Sequence, residues 1–260
     1  MVGDDIPVDA GTPDRIVPVR LPGLYENLDD TPPVGDRTAL TSVDRRSRLL
    51  KWRYVQLVLD VGANVGQYGA GLRAAGYGGR ILSFEPVSAL FRELLQNSQH
   101  DRLWDCQQLA FGDRDGSAVI NVSADAVSNS LLPLEKRCIR YDATAAYVGT
   151  EEVQVVRLDS LWQTIGRLPG TVWLKLDVQG AELAVLYGAE SSLSQIDVID
   201  AELSLVPLYE GGASFRDTAD FLHHRGFDVV SLECNWDDYA TGRMRQVDAI
   251  FMPSASLLAD

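Results

Sequence analysis

From Tyr54 onward the chain alternates short apolar runs with segments of helical period. Tyr54–Val61 is predicted as a buried strand, because a strand covered on both faces has almost no polar positions to show. Gln67–Ala75 follows as a helix, Arg80–Phe84 as a strand and Ser88–Gln99 as a second helix. Trp104–Phe111 reads as a third strand, and Ser117–Val122 and Val153–Leu158 as extra strands around an insertion. Then come strand Thr171–Leu176, helix Ala181–Gly188, strand Ile196–Leu203 and helix Phe215–Arg225. Phe227–Glu233 and Val247–Met252 close the series. Strands that alternate with helices connect by right-handed crossovers, which gives an α/β fold: a mostly parallel sheet with helices on both faces. The last two strands are joined by Cys234–Gln246, which holds no clear helix, so the last strand is expected to pair antiparallel.

The start of the chain breaks this pattern. Pro7, Pro13, Pro18, Pro22, Pro32 and Pro33 crowd into it. Proline fixes φ and lacks a backbone donor, so residues 1–40 are predicted as an extended arm and residues 41–260 as the folded domain. Leu40–Trp52 has helical period, with Arg45, Arg46, Arg48 and Lys51 expected to face solvent. Twenty-three Lys and Arg against 37 Asp and Glu leave a formal charge of −14. That balance argues against duplex nucleic acid and against a polybasic membrane anchor. No stretch approaches the ~18 apolar residues of a membrane-spanning helix. Met1–Ala10 is acidic and lacks the pattern of a secretory signal, and Cys106, Cys138 and Cys234 form no C-x-x-C pair. A reducing, cytoplasmic setting is the expectation. A homodimer stays open.

The strongest local signal is Asp60-Val61-Gly62-Ala63-Asn64-Val65-Gly66, where a hydrophobic strand turns through small residues into a helix. Gly62 and Gly66 permit sharp turns and close backbone approach, and Asn64 tolerates a left-handed φ. Asn64 stands where a dinucleotide fingerprint has its second glycine. The second predicted strand ends in Phe84-Glu85-Pro86, with Glu85 23 residues after Gly62. An acid at that spacing can accept two hydrogen bonds from ribose hydroxyls. Loop and acid together describe an adenosine-type ligand at the carboxyl edge of the sheet. The competing readings are a nicotinamide-dependent oxidoreductase and a non-catalytic nucleoside-binding protein. The missing glycine and the lack of a Tyr-x-x-x-Lys pair count against the first.

At these residues the chain resembles the FkbM family of S-adenosylmethionine-dependent O-methyltransferases. The resemblance continues through Ala110-Phe111-Gly112-Asp113, Ser128-Asn129-Ser130-Leu131 and Leu158-Asp159-Ser160-Leu161. Leu174–Glu182, Glu202-Leu203-Ser204 and Pro207–Gly211 carry its most specific part. It covers residues 54–252 and implies a Rossmann-like class I methyltransferase fold, a mostly parallel seven-stranded sheet with an antiparallel last strand. It implies S-adenosylmethionine as cofactor, with Asp60, Gly62, Ala63, Asn64 and Gly66 near the methionine end. Glu85 and Pro86 would then meet the ribose, and Ala110–Asp113 the adenine. The family's founding member methylates a cyclohexane hydroxyl of a macrolide polyketide. Others methylate sugars of glycolipids and antibiotics. The implied partner is thus a small-molecule acceptor, a polyketide or a glycoside.

Methyl transfer to an alcohol needs a positioned oxygen, exclusion of water and a route for the hydroxyl proton. His100, His223 and His224 fall at helix ends expected on the far edge of the sheet. The better candidates are Asp177 and Glu202, each ending a strand at the carboxyl edge. The two acids could share a proton or hold Mg²⁺ completed by water and substrate. Their alternatives are structural: Asp177 as a helix cap, and Glu202 in an ion pair with Lys175 or Arg243. Gly180 would leave room over Asp177, and Glu182 reads as a first-turn helix acid. Ala124–Val148, with Tyr141, Tyr147, Tyr209 and Trp236, is predicted as a lid or acceptor wall.

Overall fold

A computed structural model describes residues 41–165 and 170–257. The proline-rich arm predicted over residues 1–40 lies outside them, as do residues 258–260. In chain order the elements are α1 (Ser42–Trp52), β1 (Val55–Val61), α2 (Gln67–Ala74), β2 (Arg80–Phe84), α3 (Ser88–Ser98) and β3 (Trp104–Gln107). Next come β4 (Ala110–Phe111), β5 (Gly116–Ser123), α4 (Cys138–Tyr141), β6 (Tyr147–Val156) and α5 (Leu158–Ile165). The chain continues with β7 (Thr171–Leu176), α6 (Glu182–Tyr187), β8 (Val198–Ser204), α7 (Phe215–His223), β9 (Phe227–Asp238), β10 (Arg243–Pro253) and α8 (Ser254–Leu257).

The main sheet runs β3-β2-β1-β7-β8-β10-β9. Pairings from β3 through β8 are parallel, and β10 is antiparallel to both of its neighbours, as the pattern predicted. Strand order reverses between β1 and β7, which opens a crevice at their carboxyl ends. Period-two alternation splits the core. Leu57, Leu59 and Val61 pack with Leu174, Leu176, Val185 and Leu222 on one face of the sheet. Val58 packs with Leu72, Ile81, Leu94 and Trp173 on the other. Capping boxes start α1 (Thr41 with Asp44) and α7 (Ser214 with Asp217).

Four differences from the sequence pattern matter. The single strand predicted over Trp104–Phe111 breaks after Gln107, and its second half joins a small sheet of order β4-β6-β5. Leu158 starts helix α5 instead of ending a strand. The β9–β10 hairpin extends well into Cys234–Gln246. Finally, α1 does not turn all its cations to solvent. Arg46 Nε reaches Asp200 Oδ2 at 2.8 Å and its Nη2 reaches Asp248 Oδ2 at 2.9 Å, while Arg45 pairs with Glu233 at 2.8 Å. Carboxylates on that face of the sheet lie in low dielectric and need a cation.

The reason is a polar row across the sheet. Ladder register sets Ser83 beside Asp60, Asp60 beside Lys175 and Lys175 beside Asp200. All four are buried. Ser83 donates to Asp60 at 3.0 Å, Lys175 Nζ lies 3.2 Å from Asp60, and Tyr68 donates to Asp200 at 3.0 Å.

Candidate active site

β1 delivers the glycine turn directly over the end of β7. Gly62 has φ +77°, and a Cβ there would fall 1.8 Å from the Asp177 carbonyl oxygen. Only glycine fits. Gly62 and Ala63 N–H groups both donate to the Phe84 carbonyl, which fixes the turn against β2. Asn64 takes φ +51°, as its type permits. Its backbone N–H donates to Glu85 Oε2 at 2.9 Å, and its side-chain Nδ2 donates to the Ala126 carbonyl at 2.7 Å. The turn is thereby tied to β2 and to the loop after β5.

Glu85 is 5% exposed. Its Oε1 accepts the Val87 N–H at 2.8 Å, so each oxygen holds one backbone donor and keeps lone pairs for a ligand. Burial pushes its carboxyl up to about 7, against the pull of those two donors.

At the end of β7, Lys175 Nζ donates to the Gly62 carbonyl at 2.9 Å and lies 3.4 Å from Asp177 Oδ2. Burial pulls this ammonium down, but Asp177 and Asp60 outweigh it and hold it above its ordinary value. Gln179, at φ +53°, aims its Nε2 between two carboxylates: 2.7 Å to Asp177 Oδ1 and 2.6 Å to Glu202 Oε2. Its Oε1 accepts the Tyr209 hydroxyl at 2.6 Å. Glu202 also accepts from Asn235 Nδ2 at 2.7 Å and Gln246 Nε2 at 2.9 Å. Three side-chain amides hold it, and among the described residues no direct ion pair joins it to Lys175 or Arg243. Burial raises the Glu202 carboxyl well above the ordinary range, with Asp177, Glu182 and Asp248 adding to the shift. Glu182 receives the Val178 and Gly180 N–H groups and closes the turn before α6, and burial pushes it to about 7. Gly180 makes room for the Tyr209 ring instead of standing open above Asp177.

These parts meet in one cavity of about 370 Å³ at the switch point. Gly62, Asn64, Glu85, Pro86 and Ala110 line it together with Asp177 and Glu202. Leu109, Phe111 and Ile120 supply apolar wall, and Trp236 and Tyr209 stand near the amide cluster. Among the described lining residues are five carboxyls and no lysine, arginine or histidine. The predicted lid contributes Asp125, Val127, Leu131, Leu134 and Ala145. Tyr141 and Tyr147 stand behind that wall: Tyr141 stacks on the Arg245 guanidinium and Tyr147 donates to the Leu132 carbonyl.

Four residues expected at the ligand do not line the cavity. Asp60 is fully buried beneath the wall, because alternation turns it away from Val61 and onto the polar row. Ala63 packs in the core, and a Cβ on Gly66 would meet Leu94 and Trp104, so this glycine serves packing. Asp113 is exposed, past the short β4, and does not line the cavity. None of the three histidines lines it either. Gln179, Asn235 and Gln246 were missed. Gln179 sits inside the quoted Asp177–Glu182 block, whereas the other two lie in a segment with no periodic signal. No cluster of three His, Cys, Asp or Glu placed to hold a metal occurs among the described residues.

Strand order, switch-point crevice and glycine turn define a Rossmann-like class I methyltransferase. Residues 60–229 match the model of the methyltransferase FkbM domain, and the chain belongs to that family. A curated relative, "Methyltransferase 1" of Beauveria bassiana (strain ARSEF 2860), is 26% identical over 190 residues, 69% of this chain and 75% of the relative. The solved methyltransferase FkbM from Methylobacillus flagellatus KT is 16% identical with a TM-score of 0.49; the match covers 76% of this chain and only 43% of that longer one. Magnesium protoporphyrin IX methyltransferase from Synechocystis PCC 6803, solved with bound SAM, is 11% identical with a TM-score of 0.43, over 84% of this chain and 86% of that one. No described helix is long and apolar enough to cross a membrane.

Proposed function

We propose that this methyltransferase uses S-adenosylmethionine to methylate a hydroxyl of an uncharged secondary metabolite, a macrolide polyketide first and a sugar of a glycolipid or antibiotic second. The observation that carries the reading is the joining, in one cavity, of a ribose-type acid, Glu85, with a paired carboxylate site, Asp177 and Glu202. The donor set suits the cofactor. Glu85 offers free lone pairs to two ribose hydroxyls, and Leu109, Ala110 and Phe111 offer an apolar slot to a purine. The bound sulfonium supplies an activated methyl group.

The chain's own task is then positioning, drying and proton removal. Asp177 is oriented by Lys175 and by Gln179. Glu202 takes the hydroxyl proton, since a carboxylate raised well above its ordinary range holds a proton more firmly than a solvated one. Trp236 and Leu134 cover the apolar part of the acceptor. A cavity with five acids and no described cation favours a neutral acceptor over a carboxylate or phosphate. Three free cysteines suit a reducing cytoplasm.

Calorimetry tests the cofactor: S-adenosylhomocysteine binds and NAD does not. Mass spectrometry of desmethyl macrolides and glycosides incubated with the protein and methyl donor tests the acceptor, with a gain of one methyl expected. Asp177→Asn is expected to lower turnover far more than cofactor affinity; the reverse would make Asp177 a cofactor ligand. Turnover that survives EDTA leaves the proton to the carboxylates, and turnover lost to EDTA and restored by Mg²⁺ would assign Asp177 and Glu202 to a metal.

A further inference from the structure

Glu202 is held by residues beyond the matched family segment, which ends at residue 229. Asn235 and Gln246 stand on the β9–β10 hairpin. Asn235 Nδ2 donates to Glu202 Oε1 at 2.7 Å and to Asp248 Oδ1 at 2.9 Å, so both of its N–H bonds are used. Asp248 lies directly opposite Glu202 in the β8–β10 ladder. Its other oxygen receives Arg46 Nη2 at 2.9 Å, and Arg46 is itself seated on the buried Asp200. A guanidinium carried by α1 thus clamps Asp248, Asp248 aims the Asn235 amide, and that amide meets Glu202.

We propose that Asn235 and Asp248 are positioning residues for Glu202, Asn235 by steering its carboxylate and Asp248 by aiming that amide and setting the local field. The proposal rests on Glu202 being the proton acceptor. The charged and titratable groups around Glu202 are Asp177 and Lys175 from β7, Glu182 from α6, Tyr209 from the segment after β8, and Asp248 from β10. Asp248 is a like charge and disfavours ionisation of Glu202, whereas Asn235 donates to the ionised form and favours it. The two residues therefore act on the same proton with opposite sign.

The test is an infrared pH titration of the full chain, with the protonated Glu202 band assigned by its loss in Glu202→Gln. Asp248→Asn keeps an oxygen for the Asn235 amide but removes the charge, so the Glu202 midpoint moves down by about half a unit or more. Asn235→Leu removes a donor and moves it up by a similar amount; Asn235→Ala, which also lacks a donor, serves if leucine does not fold. Wherever an acceptor turns over, the acidic limb of kcat follows the same two shifts. Midpoints that stay put, or move in one direction in both variants, overturn the proposal. Opposite shifts in a protein that methylates no alcohol would uphold the positioning and sink the reaction assigned to the site.

Discussion

Glu85 and Glu202 line one cavity and are held in different ways. Glu85 takes two main-chain N–H groups from Asn64 and Val87, both within the neighbouring turns. Glu202 takes three side-chain amides from three separate segments: Gln179, Asn235 and Gln246. Main-chain donors are fixed once the strands pair, so the setting of Glu85 is built into the fold. Side-chain donors can be exchanged without moving the backbone, so the setting of Glu202 can change while that of Glu85 stays constant. A fold that serves many acceptors needs that division.

The sharpest way to break the comparison is Glu202→Gln. Turnover is expected to fall by about 10²-fold or more, the scale of a lost general base, with S-adenosylhomocysteine affinity unchanged by calorimetry. Equal losses in both would give the two carboxylates one shared role. Glu85→Ala should do the converse and weaken cofactor binding by more than about tenfold, since two charge-assisted bonds go. An unaltered dissociation constant would take Glu85 off the ribose.

A smaller effect lies in stability. Glu85 and Glu182 rise from 4.5 to about 7 in the native state. The folded protein then keeps protons that the unfolded chain has already lost, so these groups favour folding at low pH and that contribution disappears as pH climbs from about 4.5 to about 7. Urea midpoints across that window should fall with pH, and Glu85→Gln should flatten the slope by its own share. A flat wild-type curve would show both carboxyls ionised throughout. Smallest of all is Asp113→Ala, which should leave cofactor affinity within about twofold, as expected of a solvated side chain. A tenfold loss would bring β4's exposed tip back to the ligand.

The same contrast explains what the sequence revealed. Asp60–Gly66 and Phe84–Pro86 are contiguous, and strand, turn and acid follow one another in register, so the glycine turn and Glu85 were legible. Asp60 and Gly66 belong to that motif but do not line the cavity; alternation along β1 and the bulk of Trp104 decide which members face inward. Asp177 and Glu202 were legible as strand tips. Their amides were not: Asn235 lies on the edge strand β9, whose exposed residues show no alternation, and Gln246 is a buried polar residue at the start of the apolar run of β10. Helix α5 did carry a signal: Leu158, Leu161, Trp162 and Ile165 keep the i, i+3, i+4, i+7 spacing, overlooked beside the strand before it.

The row Ser83–Asp60–Lys175–Asp200 carries an evolutionary corollary. Exchanging Lys175 alone for an apolar residue strands Asp60 without a counterion in a dry medium, a loss of about 3–5 kcal/mol, comparable to the whole margin of many domains. Single-step drift along this rung is therefore closed. Lineages that alter it must replace neighbours on adjoining strands together, and sequences that do so mark themselves by paired substitution.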